Sequence, residues 1–183
     1  MFPSNPGKAP SAEELLKRNE DLAKVHQPIP FFEEMPAGSP KPRTFIFCCF
    51  DTRVDPAAFL GLKYAEALIV RNAGGAVGPN LESLIALDYY LGTLEDVLVI
   101  QHTDCGALHF VESDIHNHMK DLHLGSDEQI DGLKFELHDT LEQRVRENVK
   151  LIKTSPFIRK ELKDRTKGLI YDLKTGKLTE IQD

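Results

Sequence analysis

Three short, almost unbroken apolar runs, in "RTFIFCCF" (43–50), "AEALIVRN" (65–72) and "EDVLVIQH" (95–102), set the strongest limit on how this chain can fold. Runs of this length lack the polar alternation of a sheet with one face in water, so they predict strands buried on both faces. Segments with a different rhythm lie between them. "VDPAAFLG" reads as a short helix with Asp55 at its cap and Pro56 at its first position. "NLESLIALDYYLGT" reads as a helix capped by Asn80 and stopped by Gly92. A longer helix over 133–154 carries Leu137, Leu141, Val145, Val149 and Ile152 at three-or-four spacing. The chain closes on "GLIYDLKTGKLTEI", two alternating strands around a Thr175-Gly176 turn. Apolar strands alternating with helices indicate a single-domain α/β fold, with a mainly parallel central sheet flanked by helices.

The first 42 residues differ in character. Residues 1–10 read as a tail rich in Pro, Gly and Ser, and 11–42 as an N-terminal helix followed by a proline-rich arm. Ser11 and Glu14 form a capping box that opens the helix over Ala12 to His26. Residues 43–183 form the core. A formal charge of −7 argues against a nucleic-acid partner, which would need a basic face. No stretch approaches the ~18 apolar residues of a membrane span. "MFPSNPGKAPSAEELL" has neither the basic start nor the apolar run of a secretory signal. Three cysteines, two of them adjacent, make a poor disulfide framework; reduced thiols in the cytoplasm are the expectation.

In parallel α/β sheets ligands gather beyond the carboxyl ends of the strands. There this sequence places its unusual residues: Cys49 after the first run, Arg71-Asn72-Ala73-Gly74-Gly75 after the second, His102 to Cys105 after the third. Alternation along a strand puts Phe45, Phe47 and Cys49 on one face and Ile46, Cys48 and Phe50 on the other. Cys49, at the strand end and two residues from Asp51, is the expected ligand; Cys48 is a small buried hydrophobe. His102 and Cys105, three apart at a turn, complete a Cys₂His set. Three protein ligands with one open position are the makeup of a catalytic zinc site, and thiolates with imidazole favour zinc over Mg²⁺ or Ca²⁺.

Cys49-Phe50-Asp51-Thr52-Arg53 and His102-Thr103-Asp104-Cys105-Gly106, with 53 residues from Cys49 to His102, resemble the paired signature of the β-class carbonic anhydrases. "VRNAGG" and "GLIYDLKTGKL" extend the resemblance over Arg43 to Leu178. It implies one Zn²⁺ per subunit on Cys49, His102 and Cys105, with Asp51 and Arg53 as the dyad beside it. Asp51 would accept a hydrogen bond from the nucleophile, and Arg53 would hold Asp51 ionised and away from the metal. Were that pairing to break, Asp51 could itself become the fourth ligand. Gly74 and Gly75 let backbone pass close to the site, their amides lining an anion pocket.

The implied reaction adds water to a small gaseous cumulated substrate, CO₂ or its sulfur analogues. The short chain and the wording "HTDCG" are closer to the branch that includes carbonyl sulfide hydrolases, so carbonyl sulfide hydrolysis with weak carbonic anhydrase activity is the expectation. Carbonic anhydrase proper is the alternative, and an anion-binding module with zinc permanently closed by Asp51 is a further one. The family resemblance also implies a homodimer or homotetramer, with the first helix against a partner subunit. His109, His116, His118 and His123 read as a solvated helix and loop, and without C-x-x-C the adjacent cysteines are no redox switch.

Overall fold

The computed structural model describes residues 7–135, 137 and 140–182. The chain divides into two compact units, Met1–Ser39 and Pro40–Asp183. In the first, helix α1 (Ala12–Ala23) starts at the capping box: the Ser11 hydroxyl accepts from the Glu14 amide at 3.2 Å, and the Ser11 amide donates to the Glu14 carboxylate at 2.6 Å. The helix stops three residues short of His26, where single turns carry the chain towards Gln27, which Pro28 bars from helical backbone. A 3₁₀ turn over Phe32–Glu34 interrupts the proline-rich arm.

The second unit is built on five strands, β1 (Thr44–Cys49), β2 (Ala67–Asn72), β3 (Asp96–His102), β4 (Thr166–Tyr171) and β5 (Leu178–Glu180), in the order β2-β1-β3-β4-β5. The first four run parallel, and β5 pairs antiparallel with β4. Five of the six residues of β1 are buried. β2, expected to be buried on both faces, is the edge strand, and its residues are half-buried except for exposed Arg71. An apolar run is compatible with an edge as well as a centre, and neighbours decide between them.

Side-chain alternation divides the core into two layers. Phe45 and Phe47 of β1 and Val97 and Val99 of β3 pack with Leu84 of α3 (Leu81–Leu91) and with Val145, Val149 and Ile152 of a later helix, α6 (Leu141–Thr154). Ile46, Cys48 and Ile100 fill the opposite layer with Val54, which precedes the short helix α2 (Pro56–Phe59). Asp55 caps α2 by accepting from the Ala57 amide at 3.1 Å. Asn80 occupies the cap position of α3 but makes no side-chain capping bond, whereas Gly92 ends that helix in the left-handed region at φ 62°. Between β3 and α6 lie α4 (Glu112–Asp121) and α5 (Asp127–Asp131), and α7 (Lys160–Asp164) precedes β4. The helix expected over 133–154 begins only at Leu141, where the Thr140 hydroxyl accepts from the Gln143 amide at 3.2 Å. Residues 133–135 and 137 are not helical, and 136, 138 and 139 lie outside the described residues. α6 lies so close over β4 that a Cβ at Gly168 would come within 2.3 Å of Val145.

Candidate metal centre

β2, β1 and β3 are adjacent and parallel, so their carboxyl ends open at one edge of the sheet. Cys49 ends β1 paired with Asn72 of β2, His102 ends β3, and Cys105 follows at the start of a 3₁₀ turn over Gly106–His109. The ligand atoms of Cys49, His102 and Cys105 lie within 4.8 Å of one another, and all three residues are buried. Among the described residues this is the one group of three metal-ligating side chains. Cys48, one residue before Cys49, faces the other layer with Ile46, and burial pushes its thiol up to about 12.

The trio fits a metal. The two sulfurs are 4.0 Å apart, too far for a disulfide and close to the ~3.8 Å expected between two sulfurs on one tetrahedral zinc. The imidazole of His102 is fully buried, with Nδ1 2.9 Å from the Thr103 carbonyl oxygen. That contact assigns the proton to Nδ1 and leaves the Nε2 lone pair, which has no hydrogen-bond partner, facing the sulfurs. A buried acceptor with no donor is costly unless a cation takes its place. Hydrogen bonding from Cys105, with lesser help from the amides of Asp51 and Gly74, holds the Cys49 thiol well below its ordinary range. Cys105 is pushed the other way by Cys49 beside it and by burial. One sulfur is thus held ready as thiolate, the ligating form.

Asp51 sits beside the trio, with Oδ2 3.9 Å from His102 Nε2. Arg53 clamps it: Nε donates to Oδ1 at 3.0 Å, Nη2 to Oδ2 at 2.7 Å, and the Arg53 amide to Oδ1 at 2.9 Å. The hydrogen bonds from Arg53 hold the Asp51 carboxyl down at about 2, against the opposing effect of partial burial. Because the folded value lies below the ordinary one, the stability this pair contributes is complete above about pH 4 and is lost as pH falls through about 2. Urea midpoints of the native chain and an Asp51→Asn variant should therefore differ at pH 5 and converge towards pH 2.

The glycine turn acts through its lack of side chains. Gly74 and Gly75 are buried at φ 67° and 65°. A Cβ on Gly74 would come within 2.3 Å of the Arg144 guanidinium. One on Gly75 would lie 2.9 Å from the Cys48 carbonyl carbon and 3.0 Å from the Cys49 nitrogen. Backbone cannot retreat as a flexible side chain can. Gly75→Ala should cost about 1–3 kcal/mol, measured as a lower denaturation midpoint, and should weaken metal retention by displacing the end of β1.

Several residues around the trio carry no role in the sequence reading. Arg71 reaches back from β2 to three carbonyl oxygens of the loop after β1, those of Cys49 (3.0 Å), Asp51 (2.8 Å) and Val54 (2.6 Å). Asp104 takes Arg53 Nη1 on its carboxylate at 2.7 Å and Nη2 on its backbone oxygen at 3.0 Å. Buried Gln101 donates to the Gly75 oxygen at 3.1 Å, and Asn148 of α6 accepts from the Val77 amide at 2.5 Å. Arg144 and Asn148 did leave a signal, two polar residues four apart on the stripe that also carries Val145 and Val149. Of the four histidines expected to be solvated, His116 is not: its side chain is largely buried, 3.7 Å from Asp131; none of the four joins a metal-binding group among the described residues.

Comparison with known proteins is consistent across sequence and fold. The family described as carbonic anhydrase matches residues 44–178. Beta-carbonic anhydrase 1 of Mycobacterium tuberculosis is 31% identical over 174 residues, covering 92% of this chain and 96% of that protein. A carbon disulfide hydrolase of Acidianus sp. is 27% identical over 157 residues, covering 74% and 76%. The crystal structure of carbonic anhydrase from Streptococcus mutans superposes with a TM-score of 0.76 at 32% identity, covering 93% of this chain and 96% of that one.

Proposed function

The chain belongs to the β-class carbonic anhydrase family, and on that premise we propose that it holds one zinc ion per subunit on Cys49, His102 and Cys105 and adds water to a small cumulated carbon electrophile. The observation that carries this reading is the buried trio of two sulfurs and an unpartnered imidazole nitrogen beside a clamped carboxylate. Zinc, when bound, supplies a Lewis acid that makes water nucleophilic near neutral pH.

The protein's own groups do the rest. The Thr103 carbonyl fixes the His102 tautomer, and the Asp51 amide, 3.4 Å from the Cys49 sulfur, supports the thiolate. Asp51 Oδ2 is placed to accept a hydrogen bond from the attacking water and so to aim its oxygen lone pair at the substrate carbon. Arg53 keeps Asp51 charged and turned towards itself, so that the carboxylate orients the nucleophile rather than entering the ligand set. Gly74 and Gly75 let backbone pass close to the end of β1, and their amides are proposed as donors on the anion-binding side of the site.

CO₂ stands first as substrate, because a relative that matches over almost the whole chain is a carbonic anhydrase. Carbonyl sulfide, the expectation from the sequence, is the second reading. It is favoured by the carbon disulfide hydrolase among the relatives, an enzyme of a sulfur-bearing cumulene. With CO₂ the water oxygen bonds to carbon and bicarbonate and a proton leave; with carbonyl sulfide the C–S bond then breaks, giving H₂S and CO₂. Stopped-flow hydration of CO₂ and H₂S release from carbonyl sulfide, on one zinc-loaded preparation, discriminate the two. Turnover of neither would favour a non-catalytic anion-binding module and overturn the proposal.

Assembly as a homodimer or homotetramer is part of the same reading. No residue of α1 is buried, which leaves Leu15, Leu16 and Leu22 of that helix for a partner subunit to cover. The three free cysteines fit a reducing compartment such as the cytoplasm, and no described helix is long and apolar enough to cross a membrane.

A further inference from the structure

We propose that Asp104 is a positioning residue of this site: it holds the Arg53 guanidinium between the loops that follow β1 and β3, beside the ligand trio, and so keeps Asp51 in its working orientation. The catalytic consequence rests on the function proposed above; the hold on Arg53 does not.

A guanidinium is a planar fork, and its orientation is fixed only when more than one edge is occupied. Asp51 takes Nε and Nη2 of Arg53, leaving Nη1 to the Asp104 carboxylate at 2.7 Å, while the Asp104 backbone oxygen shares Nη2 at 3.0 Å. Arg53 thereby joins the loop after β1, which begins just past Cys49, to the loop after β3, which carries Cys105.

The loop after β3 is a firm post for this purpose. The Thr103 amide donates to the Tyr171 carbonyl at 3.0 Å, and the Thr103 hydroxyl accepts from the Leu173 amide at 3.0 Å, tying residue 103 to the end of β4. On the other side Cys105 is buried. Between these anchors Asp104 adopts φ 57°, a left-handed conformation that Asp tolerates better than most residues, and it offers Arg53 its Oδ2 and its backbone oxygen.

Stability does not account for the contact. The Asp104 side chain is 74% exposed, and an ion pair so placed adds little to folding. What it alters is the freedom of Arg53. Without Asp104, Arg53 can swing outwards with Asp51 still attached, or release it next to His102.

The test uses the full-length, zinc-loaded chain with Asp104→Gly, which keeps the left-handed backbone and removes the carboxylate, and Asp104→Asn, whose amide oxygen can still accept from Nη1. Two quantities are read: solvent exchange of the Arg53 Nε proton by ¹⁵N NMR, assigned with Arg53→Lys, and the separate values of kcat and KM. We expect Asp104→Gly to retain zinc and its melting temperature. Its Arg53 Nε proton should exchange several-fold faster, and its kcat should fall about tenfold with KM little changed. Asp104→Asn should recover most of both. Unchanged Arg53 exchange in Asp104→Gly overturns the proposal, as does an unchanged kcat. Should Asp104→Gly fail to fold, Asp104→Asn with native exchange and kcat, compared with Asp104→Leu losing both, would support it, and native values in Asp104→Leu would overturn it. A native chain that turns over neither substrate ends the proposed function instead, and the exchange measurement still decides whether Asp104 holds Arg53.

Discussion

Cys105→Ser is expected to reduce bound zinc from about one per chain to near zero after dialysis, and to unfold the protein at markedly lower temperature. A serine hydroxyl does not deprotonate as a thiol does, so the trio loses a soft anionic ligand and keeps only Cys49 and His102. Metal binding is coupled to folding, so a lost site appears as lost stability. About 4 kcal/mol is a reasonable scale, which for a chain of this size is on the order of 10 °C in Tm. Cys48→Ala is the matched control. Cys48 lies in the opposite core layer with Ile46 and Val54, so its removal leaves a small cavity costing roughly 1 kcal/mol and should leave metal content intact. Elemental analysis and thermal unfolding of the two variants together would locate the ligand. Zinc retained in Cys105→Ser, or lost in Cys48→Ala, would contradict the assignment.

Asp51→Ala should behave in the opposite way, keeping zinc and losing rate. Its carboxylate lies 3.9 Å from the imidazole nitrogen of His102 but outside the group whose ligand atoms converge within 4.8 Å. Removing it therefore takes no atom from the trio. What is lost is the acceptor that orients the nucleophile, a contribution of about 10²–10⁴-fold in kcat for a positioned acid–base group. Arg53 would keep its bonds to Asp104, so the loops on either side should remain joined. A metal-replete Asp51→Ala protein with native kcat would remove Asp51 from the mechanism altogether.

The extent to which this site could be read from the chain follows from how local each feature is. Pleating is local, and it separates Cys49 from Cys48 without any knowledge of neighbours: one packs near Cys105 and Ala107, the other with Ile46 and Val54. Capping is local as well, and Ser11 with Glu14, Asp55 and Gly92 end their helices as their side chains or backbones require. Asn80 is the exception, present at the cap but making no bond with its side chain.

Where contacts span many residues, the sequence offered far less. Arg71 reads as the charged end of a strand, yet its three acceptors belong to a loop about 20 positions earlier, brought within reach because β1 and β2 pair in parallel. Asp104 sits inside a metal-ligand motif, where its neighbours draw the attention, and its partner is 51 residues away. The edge position of β2 likewise depends on which strands flank it.

By itself, then, the sequence determined the alternation of strands and helices, the pleat that aims Cys49, and the identity of the three groups able to grip a metal, because backbone sterics and side-chain chemistry act over a few residues. Only the tertiary structure decided that the three strand ends stand side by side, that His102 Nε2 faces two sulfurs with no other partner, and that Arg53 bridges Asp51 to Asp104. Those facts depend on sheet order and register, which are set by burying two apolar layers at once and not by any one segment.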